Sequence, residues 1–211
     1  VVLYLKKLMN NKKSMQIKKI ALAAILAASG LFITSCGRQV TRVSTEETID
    51  LSGRWNNSDS REVAQQMTRQ VLDGAWIGNF QEDNDNKKPV VIVGMVYNKS
   101  HEHIDAETFV KDVEQSFIQS GRVRLVQGGK KREELRGERA DQQTNASASS
   151  MKQFGLEQGA DFMLQGSINS IVDSHKKKKV VYYQVNLELT NLQTNEVVWI
   201  GDKKIAKYVK N

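Results

Sequence analysis

Cysteine is almost absent: Cys36 is the only one in 211 residues, so no disulfide can form within the chain. Stability must then come from a hydrophobic core, and a chain of this length can bury one. A single proline excludes a Pro-rich stalk, and aromatic residues at 7% exclude an aromatic-rich binder. Positive charge is scarcer than the formal +7 suggests. Six of the 31 basic residues, and no acidic one, fall within the first 35 positions, leaving 25 bases against 24 acids. So balanced a remainder lacks the concentrated positive field that nucleic acid requires. Signatures of chemistry are missing too. There is no Gly-x-Ser-x-Gly elbow, and Gly128-Gly129 before Lys130-Lys131 lacks the spacing of a phosphate loop. His101 and His103 form a His-x-His with Glu102 and Asp105 beside them, but no third ligand is identifiable. That loop reads as solvated. Acids are plentiful, yet none is assigned to a pocket as an acid/base pair. The sequence thus predicts no catalysis, cofactor, metal site or small-molecule substrate.

What is present begins with a leader. Lys12, Lys13, Lys18 and Lys19 precede an apolar run from Ile20 to Ile33, broken only by Ser29 and Gly30. A basic start, a short apolar stretch and a small-residue exit form a signal peptide, too short to span a membrane comfortably. Met9 and Met15 are both candidate starts, and Met15-Gln-Ile-Lys-Lys-Ile opens a well-formed signal. The run ends at Leu31-Phe-Ile-Thr-Ser-Cys36-Gly, which resembles a bacterial lipobox. That resemblance implies cleavage after Ser35, diacylglycerol on the Cys36 sulfur and acylation of the new amino end. Each buried methylene adds about 0.8 kcal/mol of membrane affinity, so several chains anchor stably where one does not. A non-lipidated signal peptide, or an uncleaved anchor, is the alternative. Residues 1–35 are therefore set outside the fold.

Residues 36–57 read as a polar tether. Some twenty residues reach at most roughly 70 Å extended and about 25 Å as a coil, which keeps the folded part near its membrane. Trp55 docks on the domain in this reading, an exposed partner contact being the alternative.

Residues 58–211 form the globular domain. Asp59, with Glu62 three residues on, is the expected cap of a first helix carrying Val63, Ala64, Met67, Val71, Leu72 and Ala75 on one face. Gly74 and Gly78 end or fray it, and residues 81–88 make a charged turn. The apolar run 89–97 predicts a strand buried on both faces. Asp105 caps the next helix, Ile104 and Phe109 form a hydrophobic staple, and Val110, Val113, Phe117 and Ile118 continue the face. Gly121 stops it. A short strand at Val123 and Leu125 follows, then a charged helix over 130–143 with Leu135 its only large apolar residue. Another helix around Met151, Phe154 and Leu156 leads to a strand over 160–172. Residues 173–179 form a hairpin tip with four adjacent lysines, solvated or, alternatively, touching anionic lipid or glycan. Val181, Tyr183, Val185, Leu187 and Leu189 alternate with polar residues as a half-buried antiparallel strand. A last strand covers 196–205. The fold class is α+β: a mixed, mostly antiparallel sheet flanked by helices.

Four segments taken in order resemble the penicillin-binding protein activator LpoB family. They are Val91-Ile-Val-Gly-Met-Val-Tyr-Asn-Lys-Ser with Ile104-Asp105, then Arg122-Val-Arg-Leu-Val, then Gly159-Ala-Asp-Phe-Met-Leu, and Leu189-Thr-Asn-Leu-Gln-Thr-Asn-Glu-Val-Val-Trp. The family's closing hairpin usually has Thr-Gly-Glu; Asn195 stands for that Gly, which a positive-φ turn tolerates. The likeness covers residues 51–207. It implies a fold like the N-terminal domain of TolB, shared with a curli secretion lipoprotein. It further implies an outer-membrane lipoprotein on the periplasmic side, binding a bifunctional penicillin-binding protein and stimulating peptidoglycan synthesis. A lipoprotein component of an envelope assembly or secretion complex is the alternative. Longer-tethered family members carry an extended Pro-rich linker that this chain lacks. No partner-contact residue matches one by one, so the partner-binding residues stay unknown.

Overall fold

Local signals set most of the element boundaries. The computed structural model describes residues 39–44, 47–147, 149 and 157–210. Helix α1, Asn57–Leu72, opens with a reciprocal capping box. The Asn56 side chain accepts the Asp59 N–H at 3.1 Å, and Asp59 Oδ2 accepts the Asn56 N–H at 2.8 Å. The cap is thus Asn56, not the expected Asp59: the carboxylate acts from the third helical position, where it reaches back to the cap. Val63, Ala64, Met67 and Val71 are fully buried, as their spacing predicts.

Helix α2, Trp76–Asp83, stands where the sequence predicts a frayed helix end and a charged turn. Tertiary packing overrides Gly78 here. Trp76 and Ile77 are buried, Trp76 Nε1 donates to the Val71 carbonyl at 2.6 Å, and Trp76 and Phe80 both meet Phe162 edge-on.

Strand β1, Val90–Lys99, is buried on both faces only through Val90, Val91 and Ile92. Its register with β3 then shifts between Val93 and Val96, and Met95 and Tyr97 turn to solvent. This corrects the fully buried strand of the sequence reading. Helix α3, Ala106–Ser120, is capped by Asp105, whose carboxylate accepts the Glu107 N–H, and stopped by Gly121 at φ 62°. Phe109, Val113 and Phe117 are buried, but Ile118 lies off the face and is exposed. Strand β2 is Arg124–Leu125, and helix α4, Gly129–Asn145, buries no residue. The helix expected at Met151, Phe154 and Leu156 lies outside the described residues.

Strands β3, Phe162–His175, β4, Lys178–Asn191, and β5, Val197–Lys210, form the antiparallel meander. The hairpin turn is only Lys176 and Lys177, with Lys176 at φ 53°. Lys178 and Lys179 belong to the strand rather than the turn, because a two-residue turn with positive φ matches the twist of paired strands. The sheet order is β2-β1-β3-β4-β5, parallel at β2-β1 and β1-β3 and antiparallel along the longer β3-β4-β5 ladders. The architecture is α+β with a mixed sheet.

Helix α1 packs on α3, β4 and β5, and α3 packs on β1 and β2. Between them lie Tyr183, Phe109, Phe117, Met67 and the inward row of β4. Each such side chain contributes about 1.5–3 kcal/mol by leaving water. Residues 45–211 make one compact unit, and every residue of this core lies within it.

Residues 50–55, before α1, belong to this unit and are fastened within it. Trp55 meets Tyr183 edge-on at 5.5 Å, and the Trp55 backbone N–H donates to Glu102 Oε2 at 3.2 Å. Lys207 Nζ reaches Asp59 at 2.6 Å, Asp50 at 3.0 Å and the Arg54 carbonyl at 2.9 Å. Lys207 is a buried cation, and its two carboxylates and one carbonyl replace the water it loses.

Candidate functional site

Cys36, the predicted lipid attachment residue, lies outside the described residues. The His-x-His loop lies among the described residues, with His101 beside Glu102 and Asp105 turned to the cap of α3. His101 Nδ1 lies 2.6 Å from Ser170 Oγ, and Nε2 lies 3.3 Å from Glu102 Oε1. Glu102 turns its other oxygen to Trp55, and Asp105 is spent on the cap of α3. Among the described residues no three His, Cys, Asp or Glu side chains are placed to hold a metal ion. The role of Glu102 had no local signal, because its partner is 47 residues away in sequence. Beneath it sits Tyr183, whose ring stacks on His101 with centroids 6.4 Å apart. Burial first, and the Glu102 carboxylate second, hold the Tyr183 phenol well above its ordinary range.

A depression of about 850 Å³ lies where α2 meets the start of β3 and the β4-β5 hairpin. Trp76, Phe80, Phe162 and Trp199 wall it, and Asp83 and Glu196 line it. A third carboxylate, Asp161, is already committed to the Val90 N–H at 2.7 Å. The lining residues include no His, Cys, Ser, Thr, Lys or Arg, and Glu196 accepts the Thr194 hydroxyl at 2.9 Å. The chemistry on offer is contact with aromatic walls and carboxylates.

A second surface follows from the period of the strands. Because Tyr183, Val185, Leu187 and Leu189 point inward, Gln184, Asn186 and Glu188 point outward. They pair across β3 with Asn169, Ser167 and Gln165. The result is a polar row of amides and hydroxyls, with Gln165 donating to Glu188 at 3.3 Å and Gln184 to Asn186 at 2.8 Å. Exposed Tyr97 and Ile200 flank it around a shallow depression of about 410 Å³. Gly166 forms part of this floor. A side chain there would overlap the Asn186 carbonyl oxygen, so glycine lets β3 and β4 approach. Apolar anchors beside satisfiable polar groups are the ingredients of a protein-contact surface. The sequence exposed its alternation but not which polar face stays open.

The family model for the peptidoglycan-synthase activator LpoB matches residues 59–205. No curated protein matches. Among solved structures, the LpoB C-terminal domain from Salmonella enterica is 17% identical, with 70% of this chain and 98% of that chain covered and a TM-score of 0.41. The LpoB C-terminal domain from Escherichia coli is 18% identical, with the same 70% and 98% coverage and a TM-score of 0.41. A PelC dodecamer from Paraburkholderia phytofirmans is 14% identical, covering 57% of this chain and 74% of that one, with a TM-score of 0.31. The assignment rests on the family model, whose match spans the described domain from the first turn of α1 into β5: this chain belongs to the LpoB family of peptidoglycan-synthase activators.

Proposed function

We propose that this protein is a lipid-anchored, non-catalytic activator that binds a bifunctional penicillin-binding protein and raises its synthesis of peptidoglycan. The observation that carries the reading is the family match over residues 59–205. The aromatic walls of one depression, and the exposed Tyr97 and Ile200 beside the other, support it as surfaces fit for protein contact. In this reading residues 1–35 are a signal peptide, Cys36 is acylated and residues 36–57 lead to the domain of residues 58–211. The anchor sits in the outer membrane and the domain on its periplasmic side. A short tether keeps the contact close to that membrane. The outward row of β3 and β4, with Tyr97 and Ile200, is the surface we assign to the synthase.

A photo-crosslinker at Tyr97 in the full chain, activated in living cells, tests the reading. Recovery of a penicillin-binding protein in the crosslinked band is the expected result. Repeated recovery of other envelope proteins and never a wall synthase would overturn the partner.

A further inference from the structure

The end of the β3-β4 hairpin carries charge that contact with a synthase leaves unused. Lys176, Lys177 and Lys178 are exposed, and Lys210 at the end of β5 pairs with Lys178. Among the described residues no carboxylate comes within ion-pair distance of any of these four. Beyond residue 35, 25 bases face 24 acids with these four lysines included, so the cluster is a local concentration and not an overall excess.

The rungs behind them are not those of a merely solvated tip. On the outward face, His175, Lys178 and Lys210 form the last row, Asp173, Val180 and Tyr208 the next, and Ile171, Tyr182 and Ala206 the third. Ile171 is 70% exposed, Tyr208 60% and Tyr182 50%. Laid obliquely on a bilayer, this end of the outward face sets cations beside an aliphatic and two tyrosines, so that lysines can stay at the phosphates while the apolar groups enter the interface.

The entry of the chain puts this end in the right place. Asp50 binds Lys207, three residues from Lys210, or about 10 Å along the strand. Gly53 lies directly against Val209. The segment leading from Cys36 therefore joins the domain beside the lysine end. Asp50 is fourteen residues beyond Cys36, which spans about 50 Å at most and about 20 Å as a coil.

We propose that the β3-β4 hairpin end docks on an anionic phospholipid surface, with Lys176, Lys177, Lys178 and Lys210 on headgroup phosphates and Ile171, Tyr182 and Tyr208 in the interface. The location rests on the anchoring of Cys36; the chemistry does not. Docking fixes which way the domain faces and leaves the groove near Trp199, at the opposite end of β5, turned to the periplasm.

The compact unit of residues 45–211, which holds its own core and lacks any acyl group, is mixed with phosphatidylcholine vesicles with and without phosphatidylglycerol. Binding is read by flotation, so acylation and synthase contact do not enter the result. Binding to the anionic vesicles only, lost in high salt, is expected. Each basic residue at an anionic surface is worth about fivefold in partition, so Lys177→Gln/Lys178→Gln/Lys210→Gln should weaken binding about a hundredfold. Tyr208→Ser, which keeps every lysine, should weaken it several-fold; a melt of each variant checks that it is folded. Undiminished binding by the triple variant, equal binding to neutral vesicles, or no binding at all would overturn the proposal. So would a triple variant that binds vesicles normally but no longer stimulates a synthase, since the lysines would then serve a protein.

Discussion

Lys207→Met removes one ammonium and keeps most of the stem, so it isolates the charge at the junction of segment and domain. In the native protein the Lys207 side chain is 6% exposed and Asp59 is 11% exposed, while Asp50 is 42% exposed. Deleting one partner of a buried ion pair costs about 3–5 kcal/mol, because the remaining charge stays buried. Two features move this case to the lower end. Asp59 keeps the Asn56 N–H at 2.8 Å, and Asp50 can return to water. A loss of about 3 kcal/mol follows. For a domain of this size, that lowers the melting temperature by roughly 6–12 °C. Lys207→Met/Asp59→Asn should recover part of the loss, a coupling of about 2 kcal/mol, because no uncompensated charge then remains buried. Thermal and urea melts measure both, and amide exchange over residues 49–56 should speed up in the single variant. A Lys207→Met melt within about 2 °C of the parent, or strict additivity in the double variant, would refute the claim that this buried cation holds the segment.

Further predictions concern single residues. The Tyr183 hydroxyl is buried without a hydrogen bond among the described residues, so Tyr183→Phe should change stability at neutral pH by less than about 1 kcal/mol. Below pH 10.0, the ordinary tyrosine value, both states keep the proton and nothing is lost; above it the unfolded chain ionises and the folded one resists. Urea melts should therefore show stability falling by up to about 1.4 kcal/mol per pH unit above that point, with Tyr183→Phe removing this part of the slope. Gly166→Ala forces its Cβ onto the Asn186 carbonyl and should cost about 1–3 kcal/mol, read as a shifted urea midpoint. Helix α4 buries no residue, so its amides should exchange fastest of the four described helices.

Where a residue's role depends on near neighbours, the sequence was legible. The alternation of Val181, Tyr183, Val185, Leu187 and Leu189 is the inward row of β4, Asp105 and Gly121 cap α3, and Asn195 takes the positive φ expected of the closing turn. Helix α2 was missed because Gly74 and Gly78 argue against it locally, and only packing on Phe162 decides the matter. The first cap was placed three residues late because Asp59 suits either position and Asn56 looked like tether. Lys207 lies beyond the strand expected over 196–205, which in the structure runs Val197–Lys210. Its burial becomes visible only when Asp50 and Asp59, distant in sequence, fold over it. The outward polar row was legible as polar, but its exposure follows from where α1 and α3 pack.

The central claim is that this domain acts on a wall synthase by contact and performs no chemistry itself. The direct measurement is the rate of glycan polymerisation by a purified penicillin-binding protein, with and without the unit of residues 45–211. A saturable rise that disappears with Tyr97→Ala, and no product from the unit alone, is predicted. No rise at any concentration, or product formed without the synthase, would contradict it.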